Sequence, residues 1–214
     1  FYMFIFLCAE VTAVAMLVNY ISNAPLWITA VLVIVTTLTY TLYGGLRASI
    51  LTDNFQFLII IIFLLVCAYN IFSLNFISYE GIIENSGNLL SGRYIPNYTA
   101  GLTFFIAVAA TNLFHQGNWQ RVFAAKNYEV LNKSLKLSFL IIIPIVFFMG
   151  ITGIIAISVE SKVSPDLAFF SILLKNNSEL LSMAIIILAI SLTVSTIDTL
   201  VNAISSLIMV DGKK

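Results

Sequence analysis

The stretch from Leu180 to Val210, LLSMAIIILAISLTVSTIDTLVNAISSLIMV, decides the fold. No charge interrupts it between Glu179 and Asp198, so it is long enough to enter a bilayer as a helix. Its second half turns polar at regular steps. Ser191, Ser195, Asp198, Asn202 and Ser205 recur every three or four residues, which places them on one helical face. Thr196 and Thr199 stand beside that stripe. Unpaired polar groups are costly in hydrocarbon, so the stripe must face protein or a water-filled path. Two readings stand at this point. Serine and threonine commonly serve as hydrogen-bonding glue between membrane helices, whereas an intramembrane acid by default marks an ion or substrate path.

Composition sets the wider frame. Of 214 residues, 60% are hydrophobic and 9% charged, the profile of a polytopic membrane protein and not of a soluble domain this size. A formal net charge of zero argues against nucleic acid as a partner. Cys8 and Cys67 both lie in apolar runs and read as small hydrophobes, with neither a disulfide framework nor metal-ligand spacing. The start at Phe1 has no basic region or small-residue cleavage site of a signal peptide. The chain is expected to be an internal fragment of a larger protein.

Working outward from the opening stretch, six hydrophobic segments can be placed. The first runs from Phe1 to about Tyr20 and ends in Ser22-Asn23-Ala24-Pro25, a turn cluster closed by a helix-breaking proline. The second spans Leu26–Tyr43 and stops at Gly44-Gly45. The third begins near Asp53 and continues through Phe57–Leu74. The fourth, Leu102 to about Trp119, is less purely apolar. The fifth, Leu137–Val159, contains Pro144, Gly150 and Gly153 and is predicted to kink. The sixth is the opening stretch. If every segment crosses, Arg47, Arg121, Lys126, Lys133, Lys136, Lys213 and Lys214 fall on one side, and Arg93, Lys162 and Lys175 on the other. Positive residues favour the cytoplasm, so segment one runs outward and segment six inward. Asn97-Tyr98-Thr99 fits a glycosylation pattern, but one short enough to carry no weight.

Few residues offer chemistry. Glu10 and Asp198 lie within spans, and Asp53 at the mouth of the third; intramembrane acids are candidates for function. Glu10 is the weakest of them, since it can pair with a basic group elsewhere or snorkel to the surface. His115 is the single histidine and has no second ligand at metal spacing, so a hydrogen-bonded structural role is expected. No serine-histidine-acid set can be assembled around it, and no enzyme is expected.

Tyr40-Thr-Leu-Tyr-Gly-Gly-Leu-Arg-Ala-Ser-Ile-Leu-Thr-Asp-Asn-Phe-Gln56 is more informative. The glycine pair lets the backbone turn at a helix end, and Thr52-Asp53 can cap the helix that follows. The string also resembles the signature of the sodium:solute symporter family. Two further regions agree: His115-Gln-Gly-Asn-Trp-Gln-Arg-Val-Phe-Ala-Ala-Lys-Asn127, and Ser191-Leu-Thr-Val-Ser-Thr-Ile-Asp-Thr-Leu-Val-Asn202. These matches, in order, cover essentially the whole chain. The resemblance implies an all-α polytopic membrane protein. Its six transmembrane helices would be core helices three to eight of an incomplete LeuT-type inverted-repeat bundle, and residues 1–214 part of a single transmembrane transporter domain.

The resemblance further implies sodium-coupled symport of a small organic solute by alternating access, with sodium as coupling ion, no cofactor, and a multi-pass location in the plasma membrane. It assigns sodium-binding hydroxyls to Ser195 and Thr196, a carbonyl ligand to Leu192, and the cytoplasmic exit path or a second sodium site to Asp53. Remaining ligands would come from a broken helix outside this sequence. Asp198, one turn below the hydroxyl pair, is a candidate for the ion path, because an acid there draws cations. Val108, Thr111 and Asn112 fall near the family's substrate contacts. Thr111 stands where sugar carriers often place an aromatic gate, which argues against a sugar. The alternative is a symporter-like membrane sensor domain of a histidine kinase.

Overall fold

The computed structural model describes residues 1–73, 78–159, 164, 167–175 and 178–211. Among them are eight helices and no strand: α1 (Tyr2–Ser22), α2 (Leu26–Phe72), α3 (Tyr79–Asn85), α4 (Ile95–Leu113), α5 (Gln116–Phe123), α6 (Tyr128–Val159), α7 (Ala168–Leu174) and α8 (Glu179–Asp211). Four of these, α1, α2, α6 and the Glu179–Val210 part of α8, are long and apolar enough to cross a membrane. The described residues are thus all-helical and consistent with the polytopic membrane class expected from composition. Among the described residues, two of the six expected segments meet at a kink and another is divided.

Two local facts account for that difference. Segments two and three of the sequence run together as α2, two helical arms that meet at a kink with non-helical geometry at Gly45, the glycine-pair boundary expected from the sequence. Its 47 residues would measure about 70 Å if straight, over twice the hydrocarbon thickness of a bilayer. Segment four is split, since α4 ends at Leu113 and α5 begins at Gln116. The polar Asn97, Thr99, Thr111 and Asn112 in α4 dilute its apolar character. Pro144 lies inside α6, which continues as a helix on both sides of it.

The chain divides into two compact units, residues 1–69 with 177–214, and residues 70–176. In the first, α1 lies against α8. Its core is Val11 and Val14 of α1, Val33 of α2, and Ile197 and Val201 of α8, continued by Met3, Leu200 and Ala203. In lipid such contacts stabilise through close packing and not through escape from water. The Asn23 turn ends α1 as expected. Asn23 is left-handed at φ 56° and its N–H donates to the Asn19 carbonyl, while the Asn19 side-chain amide donates to the Ala24 carbonyl at 2.8 Å. Pro25 then starts the chain towards α2.

In the second unit α6 carries α3 on one part of its surface and α7 on another. Phe148 meets Phe169 edge-on at 6.1 Å, and Ile172 and Leu173 of α7 are fully buried. The Asn127 carboxamide oxygen caps α6 by accepting from the Val130 N–H at 2.8 Å. The Asn97 amide nitrogen, in the glycosylation pattern, shares its two protons among the carbonyls of Asn88, Leu89 and Ser91. It ties the connection to α4.

Candidate functional site

The site in the first unit begins at the α2 break. Gly45 adopts φ 57°, ψ −150°, a backbone region occupied essentially by glycine alone. A Cβ on Gly44 would collide with Ala48, so both glycines of the pair are required. After the break the helix resumes with Ser49, Thr52, Asp53 and Gln56 at three- and four-residue steps. That spacing aims Ser49 and Thr52 from one face. Tyr40 comes from the turn before the break.

These side chains converge on Asp198 of α8, which has 0% of its surface exposed. Oδ1 accepts from the Ser49 hydroxyl at 2.9 Å and stands 3.2 Å from that of Thr199. Oδ2 accepts from the Tyr40 hydroxyl at 3.1 Å and lies 3.2 Å from that of Thr52. Thr52 and Thr199 each have one proton to give and also face their own helix carbonyls, Ala48 and Ser49 for Thr52 and Ser195 for Thr199. Tyr40 and Ser49 are thus the committed donors, and the two threonines can switch. A buried carboxylate is tolerated when its lone pairs are filled in this way.

One turn earlier on α8, the Ser195 hydroxyl donates to Asp53 Oδ1 at 2.6 Å. Two residues assigned to sodium on resemblance therefore touch, across 142 positions of sequence. Thr196, next to Ser195, turns elsewhere. Its hydroxyl donates to the Leu192 carbonyl of its own helix at 3.3 Å, and the Leu192 side chain is 41% exposed. The polar stripe of α8 faces α2 at Ser195 and Asp198, so the bonds expected of interhelical glue are present. Asn202 also belongs to the stripe; its buried amide nitrogen has no partner among the described residues. Glu10 is partly buried on α1.

In the second unit, Val108, Thr111 and Asn112 occupy the last two turns of α4. The Thr111 hydroxyl bonds back to the Ala107 carbonyl at 2.6 Å, and the Asn112 amide to that of Val108 at 2.8 Å. The helix then breaks at Phe114 and His115, and His115 is 8% exposed. Side chains of α5 bridge the break: Asn118 Nδ2 donates to Asn112 Oδ1 at 2.9 Å, and Trp119 Nε1 to the Leu113 carbonyl at 2.8 Å. A separate cavity of about 590 Å³ is lined by Ser78, Gly81, Asn85, Ser158 and Lys175 among others. None of the candidate residues lines it.

Sequence reasoning missed Tyr40 and Ser49 as partners of Asp198, and Asn118 and Trp119 as the bridge. Tyr40 and Ser49 stood inside the quoted motif, but nothing local says which acid they reach. The crowding of Asn112, His115, Gln116, Gly117 and Asn118 within an apolar segment was the available sign of a break.

No family model matches the chain, and no solved structure does. It is similar to the spermidine transporter DUR31 of Candida albicans, with 27% identity over 213 residues. That alignment takes in 98% of this chain and 40% of the relative's length. The apolar helices suggest an integral membrane protein, and the protein it resembles is a transporter.

Proposed function

We propose that this chain is part of a sodium-coupled symporter with a LeuT-type fold, a member of the sodium:solute symporter family, which takes up a small organic solute at the plasma membrane by alternating access. The observation that carries this reading is the Ser195–Asp53 bond at 2.6 Å, which joins oxygen donors of α8 and α2 into one candidate cation site. Sodium is a hard cation that exchanges its waters for protein oxygens. Hydroxyls and carbonyls hold it without a full opposing charge, so it can leave again. Ser195, Thr196 and the Leu192 carbonyl are the ligands proposed on α8, with Asp53 on the exit side. Inward movement of each sodium contributes roughly 2.3 kcal/mol per 100 mV of membrane potential. Asp198 is proposed to line the ion path, below the hydroxyl pair.

The α4–α5 break supports a solute site near Val108, Thr111 and Asn112, because discontinuous helices commonly form binding sites in secondary transporters. The relative is described as a spermidine transporter, so spermidine and other amines head the solutes to test, followed by urea, proline and choline-like compounds. The sensor reading is not favoured, since that relative is a transporter.

The test is equilibrium binding of radioactive sodium to the full-length protein, wild type beside Thr196→Ala. Saturable binding that weakens at least about tenfold in the variant, the cost of one lost ligand, is the expected result. Absence of saturable binding in well-folded protein overturns sodium coupling. For Asp198→Asn, slower sodium exchange is expected; unchanged affinity and exchange rate remove Asp198 from the path.

A further inference from the structure

We infer that Asp198 is a positioning residue that knots both arms of the α2 break to α8, so that α2 swings about Gly45 only when the knot opens. The observation is geometric. Tyr40 precedes Gly45, Ser49 and Thr52 follow it, and all three hydroxyls stand within 3.2 Å of one fully buried carboxylate. A break at a glycine-only conformation is a natural hinge. Two arms bonded to one group cannot change their mutual angle without letting it go. The Ser195–Asp53 bond lies on the same two helices, so the knot also sets the distance between those oxygens.

The chemistry suits a releasable closure. Among the described residues every partner of Asp198 is a neutral hydroxyl, and a hydroxyl can trade a carboxylate for water at little net change in hydrogen bonding. In a dry interface no such exchange is offered, and leaving the carboxylate unpaired is costly. Water entering along α8 would hydrate Asp198 and free both arms together. Thr52 and Thr199 have alternative acceptors on their own helices, so they are satisfied in either state. Entry of water is thereby coupled to movement of α2. This inference rests on the transport reading for its place in a cycle, but its geometry does not depend on sodium.

Its test uses the full-length protein in lipid vesicles, with Cys8 and Cys67 replaced by alanine and a single reporter, Thr41→Cys, at a position now 2% exposed. The rate of modification by a membrane-impermeant thiol reagent reports opening. Tyr40→Phe and Ser49→Ala are each expected to raise that rate about tenfold, by removing a committed charged hydrogen bond. Thr52→Ser, which keeps its hydroxyl, and Thr37→Ala, which removes an equally buried hydroxyl that donates to the Val33 carbonyl of its own helix, are expected to leave it unchanged. Equal rates in all four variants, or an equal rise in Thr37→Ala, overturn the knot. Tyr40→Phe removes one oxygen atom and keeps the ring, so it retains the fold if Ser49→Ala does not. Sodium binding is measured on the same samples. A changed rate without any sodium binding sinks the coupling reading and keeps the knot; sodium binding with unchanged rates does the reverse.

Discussion

Asp198 is the residue on which most depends. Its carboxylate has no exposed surface, and the Tyr40 and Ser49 hydroxyls both donate to it. Asp198→Ala therefore strands the buried Ser49 hydroxyl and the half-buried Tyr40 hydroxyl and opens a polar hole, at about 1–3 kcal/mol for an unsatisfied buried group. Thermal unfolding in detergent is expected to show a clear fall in Tm, and Asp198→Asn a smaller one, because an amide still offers an oxygen and hydroxyls can turn to accept. Asp53 behaves differently. Asp53→Asn keeps an oxygen for Ser195 but removes charge, so sodium affinity is expected to drop at least about tenfold with little change in Tm. Sodium binding and unfolding measured side by side separate the two roles.

At the scale of elements, the breaks in α2 and near His115 are where movement and solute binding are proposed. Gly45→Ala places a side chain in a backbone region reserved for glycine, and an unfolding cost of about 1–3 kcal/mol is expected. Gly150→Ala is the control. It lies in α6 with no atom near an added Cβ, and alanine is the better helix former by about 1 kcal/mol, so the same measurement is expected to show no loss. In the other break, Asn118→Ala removes the bridge to Asn112, while Trp119→Phe releases the Leu113 carbonyl. Both are expected to weaken solute uptake several-fold and leave sodium binding intact. Unchanged uptake in the pair would take the α4–α5 break out of the solute site. Much of this element scale was legible beforehand. The Asn23–Pro25 turn and the glycine pair both act through local backbone preference, which single residues announce. The split at His115 had only a weak sign in the sequence, the crowding of polar residues from Asn112 to Asn118, because such a run is compatible with a continuous helix until Asn118 and Trp119 find their acceptors.

For the whole molecule, lysine and arginine placement predicts an orientation in the membrane. Glu84, on α3, is expected outside, and Lys126, between α5 and α6, in the cytosol. Single cysteines at the two positions, labelled from either face of sealed vesicles, are expected to react from opposite sides; labelling from the same side overturns the assignment. The membrane class, the helical content and the regular polar face of α8 were determined by the sequence alone. Apolar run length and residue spacing are local quantities, and hydrocarbon admits few backbone solutions. Which oxygens meet was decided only by the tertiary structure. Tyr40 and Asp198 are 158 positions apart, and a hydroxyl has no local preference for one distant acid over another. The packing of α1, α2 and α8 makes that choice, giving Ser195 to Asp53 and both arms of the α2 break to Asp198.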